Sequence, residues 1–190
     1  MNIIAVFLAE GFEEIEAVSI IDVLRRAAIE TLVVSVTGNL EIKGSHDIIV
    51  KADILFEEID FSRVDGMILP GGMPGSQNLK NHEALRQMLT AFNGEGKLLG
   101  AICAAPMVLG DLGILDHKDA TCYPGFGQFL GLANLKDNPV VEDQNVITGS
   151  GAGVAVQFAL KIVERLKGRE LADTVGRKMM LPHKGQTDLS

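Results

Sequence analysis

Cys103 stands where an apolar run, Leu98-Leu99-Gly100-Ala101-Ile102, passes without a linker into a helix-like run, Ala104-Ala105-Pro106-Met107-Val108-Leu109. A thiol at such a strand-to-helix turn faces unpaired amides and the positive end of a helix dipole, and both favour a thiolate. Gly100, Ala101, Ala104 and Ala105 are small, as a tight turn that exposes one nucleophile requires. Glu16 is the matching candidate acid. At ~100° per residue, on a helix read from Glu13 to Ala28, it shares a face with Ile20, Val23 and Ala27, while Glu14 aligns with Val18, Ile21 and Arg25. A carboxyl on an apolar face has a raised pKa and tends to keep its proton. It can then donate a hydrogen bond to a thiolate, or to a sulfinate made by oxidising it, without two full negative charges in contact. The competing reading is a Glu16 that reaches solvent past its neighbours.

Other polar positions carry less. Pro70-Gly71-Gly72 follows an apolar run and could bring backbone amides close to a reacting atom, or could simply be a strand-exit turn. The histidines His46, His82, His117 and His183 are scattered, without metal-type spacing to a cysteine or acid, so no metal site is expected. His82 and His117 read as solvent-exposed helix-edge and loop residues, and His46 as a structural residue of a hairpin. Cys122 reads as a small buried hydrophobe at the end of a short strand. Tyr123-Pro124-Gly125-Phe126-Gly127 either lines a pocket, with Tyr123 offering a phenol, or is a packed loop. Gly149-Ser150-Gly151-Ala152-Gly153 lacks the full G-x-G-x-x-G spacing, and no strand follows its helix. It reads as close backbone packing near the site, and no cofactor is expected.

These residues need a scaffold, and strand and helix patterns alternate as in an α/β layer fold with a largely parallel sheet. Strands are expected over Asn2 to Leu8, Thr31 to Val36, Val64 to Leu69, Leu98 to Ile102 and Ala120 to Cys122. Val140 to Thr148 reads as strands broken at Asp143-Gln144-Asn145. Leu40 to Lys43 and Asp47 to Val50 suggest a small hairpin on the sheet edge. Helices are expected over Gly75 to Asn93 with a break at Asn81, over Ala104 to Leu112, and finally over Ala152 to Leu166. The loops at Glu10 to Glu14, Pro70 to Gly75 and Cys103 then fall at carboxyl ends of strands, where open parallel sheets place their sites. The first helix carries apolar residues on nearly every side, including Ile15, Val18, Ile20, Ile21, Val23 and Leu24, which predicts a homodimer interface.

With 190 residues, 47% of them hydrophobic, the chain suits one domain. A net charge of −8 argues against nonspecific nucleic-acid binding. No segment reaches the ~20 apolar residues of a membrane span. The first residues lack a basic leader, and with two separated cysteines a reducing cytoplasm is the expectation.

Ala9-Glu10-Gly11-Phe12-Glu13-Glu14-Ile15-Glu16, Leu69-Pro70-Gly71-Gly72, Gly100-Ala101-Ile102-Cys103-Ala104-Ala105-Pro106 and Thr148-Gly149-Ser150-Gly151-Ala152-Gly153 together resemble the DJ-one/ThiJ/PfpI superfamily. They match best its branch of Parkinson-disease-protein and YajL-like members, in family order along nearly the whole chain. The resemblance implies a flavodoxin-like three-layer sandwich, a dimer, and Cys103 as a peroxide-sensitive cysteine at a nucleophile elbow. It also implies Glu16 as the protonated acid beside the cysteine, with Gly72 and Ala104 as backbone donors. One position departs: members with the full set carry His before Pro where this chain has Tyr123 before Pro124. Tyrosine, with an unperturbed pKa near ~10, is a poor base at neutral pH, which speaks against a Cys-His dyad. The protease-like branch has histidine directly after its cysteine, where this chain has Ala104, which speaks against a peptidase.

Three activities follow as expectations. The first is a redox-sensitive cysteine protein of oxidative or carbonyl stress. The second is a cofactor-independent glyoxalase or deglycase acting on small reactive carbonyls. The third is a chaperone-like dimer that binds client proteins.

Overall fold

The computed structural model describes residues 3–181. Ile3–Leu8 (β1) alternates cleanly: Ile4, Val6 and Leu8 enter the core on one face of the sheet, and Ile3, Ala5 and Phe7 on the other. A strand buried on both faces has no use for polar residues, which is why it reads as an unbroken apolar run. Glu14–Arg26 (α1) follows and leads into Glu30–Ser35 (β2), which lies parallel to β1. Next come the short strands Glu41–Lys43 (β3), Ile49–Lys51 (β4) and Ile54–Leu55 (β5).

Gly66–Leu69 (β6) returns to the other side of β1, and Gly75–Asn81 (α2) and Glu83–Gly94 (α3) follow it. Then come Leu98–Ile102 (β7), Pro106–Asp111 (α4), Asp119–Ala120 (β8), Asn134–Leu135 (β9), Val140–Asp143 (β10), Val146–Gly149 (β11), Ala155–Lys167 (α5) and Arg169–Lys178 (α6). The main sheet runs β10-β11-β7-β6-β1-β2-β5, parallel throughout except for the edge strand β10. Residues of α1, α5 and α6 cover one face, and residues of α2, α3 and α4 the other. The result is the α/β layer fold with a largely parallel sheet expected from the residues, in the flavodoxin-like three-layer form that the resemblance implied. Side chains such as Phe7, Ile68 and Phe158 are wholly buried, each contributing about 1.5–3 kcal/mol of transfer free energy.

Several boundaries differ, each for a local reason. The hairpin forms, but as a separate two-stranded sheet, β3 with β4, and the true edge partner of β2 is the two-residue β5. The strand expected to end at Cys122 stops at Ala120 and pairs with β9 in another small sheet. The helix after Cys103 starts at Pro106, because Ala104 and Ala105 are spent in the turn. The break in the long helix falls at His82, whose Nδ1 accepts the Leu85 N–H at 3.1 Å and starts α3. His82 is therefore a half-buried cap packed on Phe56, at 4.6 Å between ring centroids, and not the exposed residue expected. The last expected helix ends at Lys167 before Gly168 (φ +89°), and an additional helix, α6, follows with its few apolar residues set among charges. His183 lies outside the described residues. The apolar excess of α1 is mostly absorbed within the chain. Ile20, Ile21, Val23 and Leu24 are buried in the layer that α5 shares, leaving Ile15 and Val18 exposed.

Candidate active site

The strand order reverses direction between β1 and β6, the switch point where open α/β sheets leave a crevice at the strand ends. Loops from β1, β6 and β7 meet there and bring Glu16, Gly71, Gly72 and Cys103 together. Cys103 adopts φ +64°, a left-handed conformation that costs a non-glycine residue about 1–2 kcal/mol. Both of its backbone polar groups are engaged. Its N–H donates to Gly149 O at 2.9 Å, and its carbonyl accepts the Tyr123 N–H at 2.9 Å. The surrounding chain thus holds the strained turn, and the arrangement is a nucleophile elbow.

Glu16 is wholly buried. Its backbone N–H donates to Glu13 Oε2 at 2.6 Å, the cap of α1, and its own Oε2 accepts the Gly71 N–H at 2.7 Å. Oε1 has no hydrogen-bond partner among the described residues. The solvent-reaching alternative for Glu16 is thereby excluded. Burial pushes the carboxyl up to about 7, against the pull of the Gly71 N–H and the neighbouring Cys103 thiol. Gly71 has to be glycine, since a Cβ there would lie 2.6 Å from Cys103 Cβ and 2.7 Å from Glu16 Oε2. Gly72, at φ +90°, is equally constrained by Gly11 and Glu13.

The thiol departs from the sequence expectation. Burial pushes Cys103 up to about 12, ionised Glu16 adds to the rise, and the Gly72 and Ala104 amides oppose it. The helix-dipole argument fails because α4 starts three residues later and is only six residues long. The groups on hand that favour a thiolate are the Gly72 and Ala104 amides. With the carboxyl neutral, its charge repulsion vanishes and its O–H can donate to sulfur.

The remaining predicted residues sort clearly. Tyr123 is joined to Cys103 through the backbone, but its ring is half exposed and lies against Gly151 and Phe126. It lines a cavity of about 470 Å³ with Cys122, Lys136 and Ser150. Cys122 is only partly buried, and it packs on the α2–α4 side of the sheet whereas Cys103 packs on the α1–α5 side. The Gly149 to Gly153 segment packs tightly as expected, since a Cβ at Gly149 would press on Ile102 at 2.9 Å.

Sequence reasoning missed Glu14. Its carboxyl is buried, accepts the His46 N–H at 2.6 Å, and faces His46 Nδ1 at 2.8 Å. Glu13, Glu14 and His46 offer one ligand-type atom each within 4.8 Å of one another. Glu13 caps α1 and Glu14 pairs with His46, so these groups are engaged as a cap and an ion pair. The only sequence signal was Gly44 in the hairpin turn, and nothing linked it to a helix thirty residues earlier.

An elbow cysteine beside a buried carboxyl stands at the switch point of this flavodoxin-like sandwich. The chain belongs to the DJ-1/PfpI family, whose model matches residues 2–165. It is 36% identical to protein dj-1beta of Drosophila melanogaster over 180 residues, covering 94% of this chain and 96% of that protein. It is 33% identical to the glutathione-independent glyoxalase DJR-1.2 of Caenorhabditis elegans over 175 residues, covering 90% of this chain and 92% of that one. Two Arabidopsis thaliana proteins, DJ-1 homologs A and B, match at 37% and 39% identity over 94% of this chain, which spans 47% and 41% of their lengths. Among solved structures, oxidized Toxoplasma gondii DJ-1 superposes with a TM-score of 0.92 at 35% identity, covering 96% of this chain and all of that one.

Proposed function

We propose that the protein is a redox-sensitive cysteine protein acting in oxidative or carbonyl stress through Cys103. The observation that carries this reading is the wholly buried Glu16 carboxyl with an unspent oxygen beside an elbow thiol. In the first step the Cys103 thiolate attacks a peroxide oxygen, the O–O bond breaks, sulfur becomes a sulfenic acid and hydroxide leaves, taking up the sulfenic proton to give a sulfenate and water. A second peroxide takes the sulfenate to a sulfinate. Protonated Glu16 donates a hydrogen bond to a sulfinate oxygen, and the Gly72 and Ala104 amides, already turned toward sulfur, donate to the charge that remains. Peroxide titration followed by intact-mass and peptide mapping should place a two-oxygen adduct on Cys103. Preferential oxidation of Cys122 would refute the assignment.

The likeness to a glutathione-independent glyoxalase favours a second reading on the same residues. Here Cys103 sulfur adds to the aldehyde carbon of a small dicarbonyl, the C=O π pair moves to oxygen, and the thiol proton passes to Glu16. Hydroxy-acid release from methylglyoxal should then be lost in Cys103→Ala, and equal rates would eliminate this activity. A homodimer belongs to the same proposal. Ile15 and Val18 on α1, 60% and 49% exposed, are the large apolar side chains that α5 does not cover. Light scattering that finds only monomer at micromolar concentration would remove it.

A further inference from the structure

The β3–β4 hairpin stands outside the main sheet, yet its turn is fastened to the segment that carries the site. Gly11 N–H donates to Lys43 O and Ser45 N–H to Phe12 O, both at 2.8 Å, while Lys43 N–H donates to Glu10 Oε2 at 3.2 Å. The Glu14 carboxylate lies inside this turn. Its Oε1 accepts the His46 N–H at 2.6 Å, and its Oε2 accepts the Ser45 hydroxyl at 3.2 Å and faces His46 Nδ1 at 2.8 Å. Gly44 makes the enclosure possible, because a Cβ at that position would fall onto the carboxylate itself. A carboxylate 4% exposed and engaged by three donor groups is a constructed anchor, distinct from a surface ion pair.

The anchor sits beside the groups that aim Glu16. Glu13 N–H donates to Gly71 O at 2.9 Å, Glu13 Oε2 accepts the Glu16 N–H, and Glu16 Oε2 accepts the Gly71 N–H. A slip of the first turn of α1 would lengthen all three bonds together. Neither the oxidation nor the carbonyl chemistry above calls on the hairpin. We propose that Glu14 is a positioning residue: its carboxylate, gripped by the Gly44–His46 turn, sets the register of the first turn of α1 and thereby aims Glu16 at Gly71 and Cys103.

This inference rests on Glu16 as the partner of Cys103, and its test reads Glu16 directly. The groups facing Glu16 are Glu13 on its own turn, the Gly71 N–H and the Cys103 thiol. Those facing His46 are Glu13, Glu14 and Asp47, the last of which also pairs with Lys43. Carbon-13 NMR of the Glu16 carboxyl in the full chain, between about pH 4 and 9, gives its titration midpoint. Glu14→Gln and Gly44→Ala should each admit water and lower that midpoint by about half a unit, equivalent to roughly threefold in protonation equilibrium. His46→Gln, which retains the backbone donor and a side-chain donor, should stay near wild type. A midpoint within about 0.1 unit of wild type in either disrupting variant, with circular dichroism intact, overturns the proposal. Should Glu14→Gln fail to fold, Gly44→Ala decides alone. An unreactive Cys103 in the wild type would count against the proposed function and leave this result standing.

Discussion

Glu14 and Glu16 are two carboxyls on the same helical turn, both removed from water, and they are driven in opposite directions. Glu14 goes down to about 2 and Glu16 up to about 7. Burial raises both, so it cannot be the cause of the difference. Glu14 is met by donors from Ser45 and His46, whereas Glu16 receives one N–H and leaves an oxygen unpaired. What decides the charge of a buried acid here is the number of donors folded around it. One turn of helix thus supplies a fixed anion for architecture and a titrating acid for chemistry.

The comparison can be broken most severely at Gly71. Gly71→Ala puts a methyl into Cys103 and Glu16, so Cys103 alkylation at pH 7 should fall by about two orders of magnitude, with a loss of about 1–3 kcal/mol in urea unfolding. Glu16→Gln removes the titrating member. Its pH profile of iodoacetamide labelling should lose the inflection near Glu16's value of about 7 and move downward, with the rate at neutral pH rising severalfold. The repulsion of ionised Glu16 is then gone, while the amide can still donate to sulfur.

The same variant tests the linkage. A carboxyl at about 7 in the folded chain and near 4.5 unfolded lowers stability as pH rises through that interval. Glu16→Gln should therefore be more stable than wild type at pH 8, by up to about 3 kcal/mol, and equal to it near pH 4. Glu14 has the opposite sign. Its contribution is complete above about 4.5 and is lost as pH falls toward about 2, so wild type should lose stability in acid more steeply than Glu14→Gln. The smallest effect is expected at Lys43 and Asp47, an exposed pair on the same hairpin. Asp47→Asn should leave both the urea unfolding curve and the labelling profile in place.

Cys103 and Glu16 were legible because each declares itself locally, one by a strand-to-helix junction and the other by its helical neighbours. The parallel sheet was legible for the same reason, since β1, β6 and β7 are buried on both faces and read as apolar runs. Glu14 was not legible, because its state depends on Ser45 and His46, brought to it only by the fold. β5 and β9 are two-residue strands, too short for any alternation to register, and α6 hides a narrow apolar stripe among charges. The upward push on the Cys103 thiol was not legible, because the turn consumes the residues that would start the helix and because the burial of the sulfur is set only by the fold.

The left-handed backbone at Cys103 has a consequence for how an oxidation event could be recorded. Hydrogen bonds to Gly149 and Tyr123 fix the turn from both sides, so the sulfur has nowhere to retreat as it gains oxygens. The added atoms must be accommodated by the side chains and amides around the sulfur, which is itself only partly buried. Such a site would store a chemical mark without reshaping the chain beneath it, and whatever reads that mark would have to do so by touching the rim.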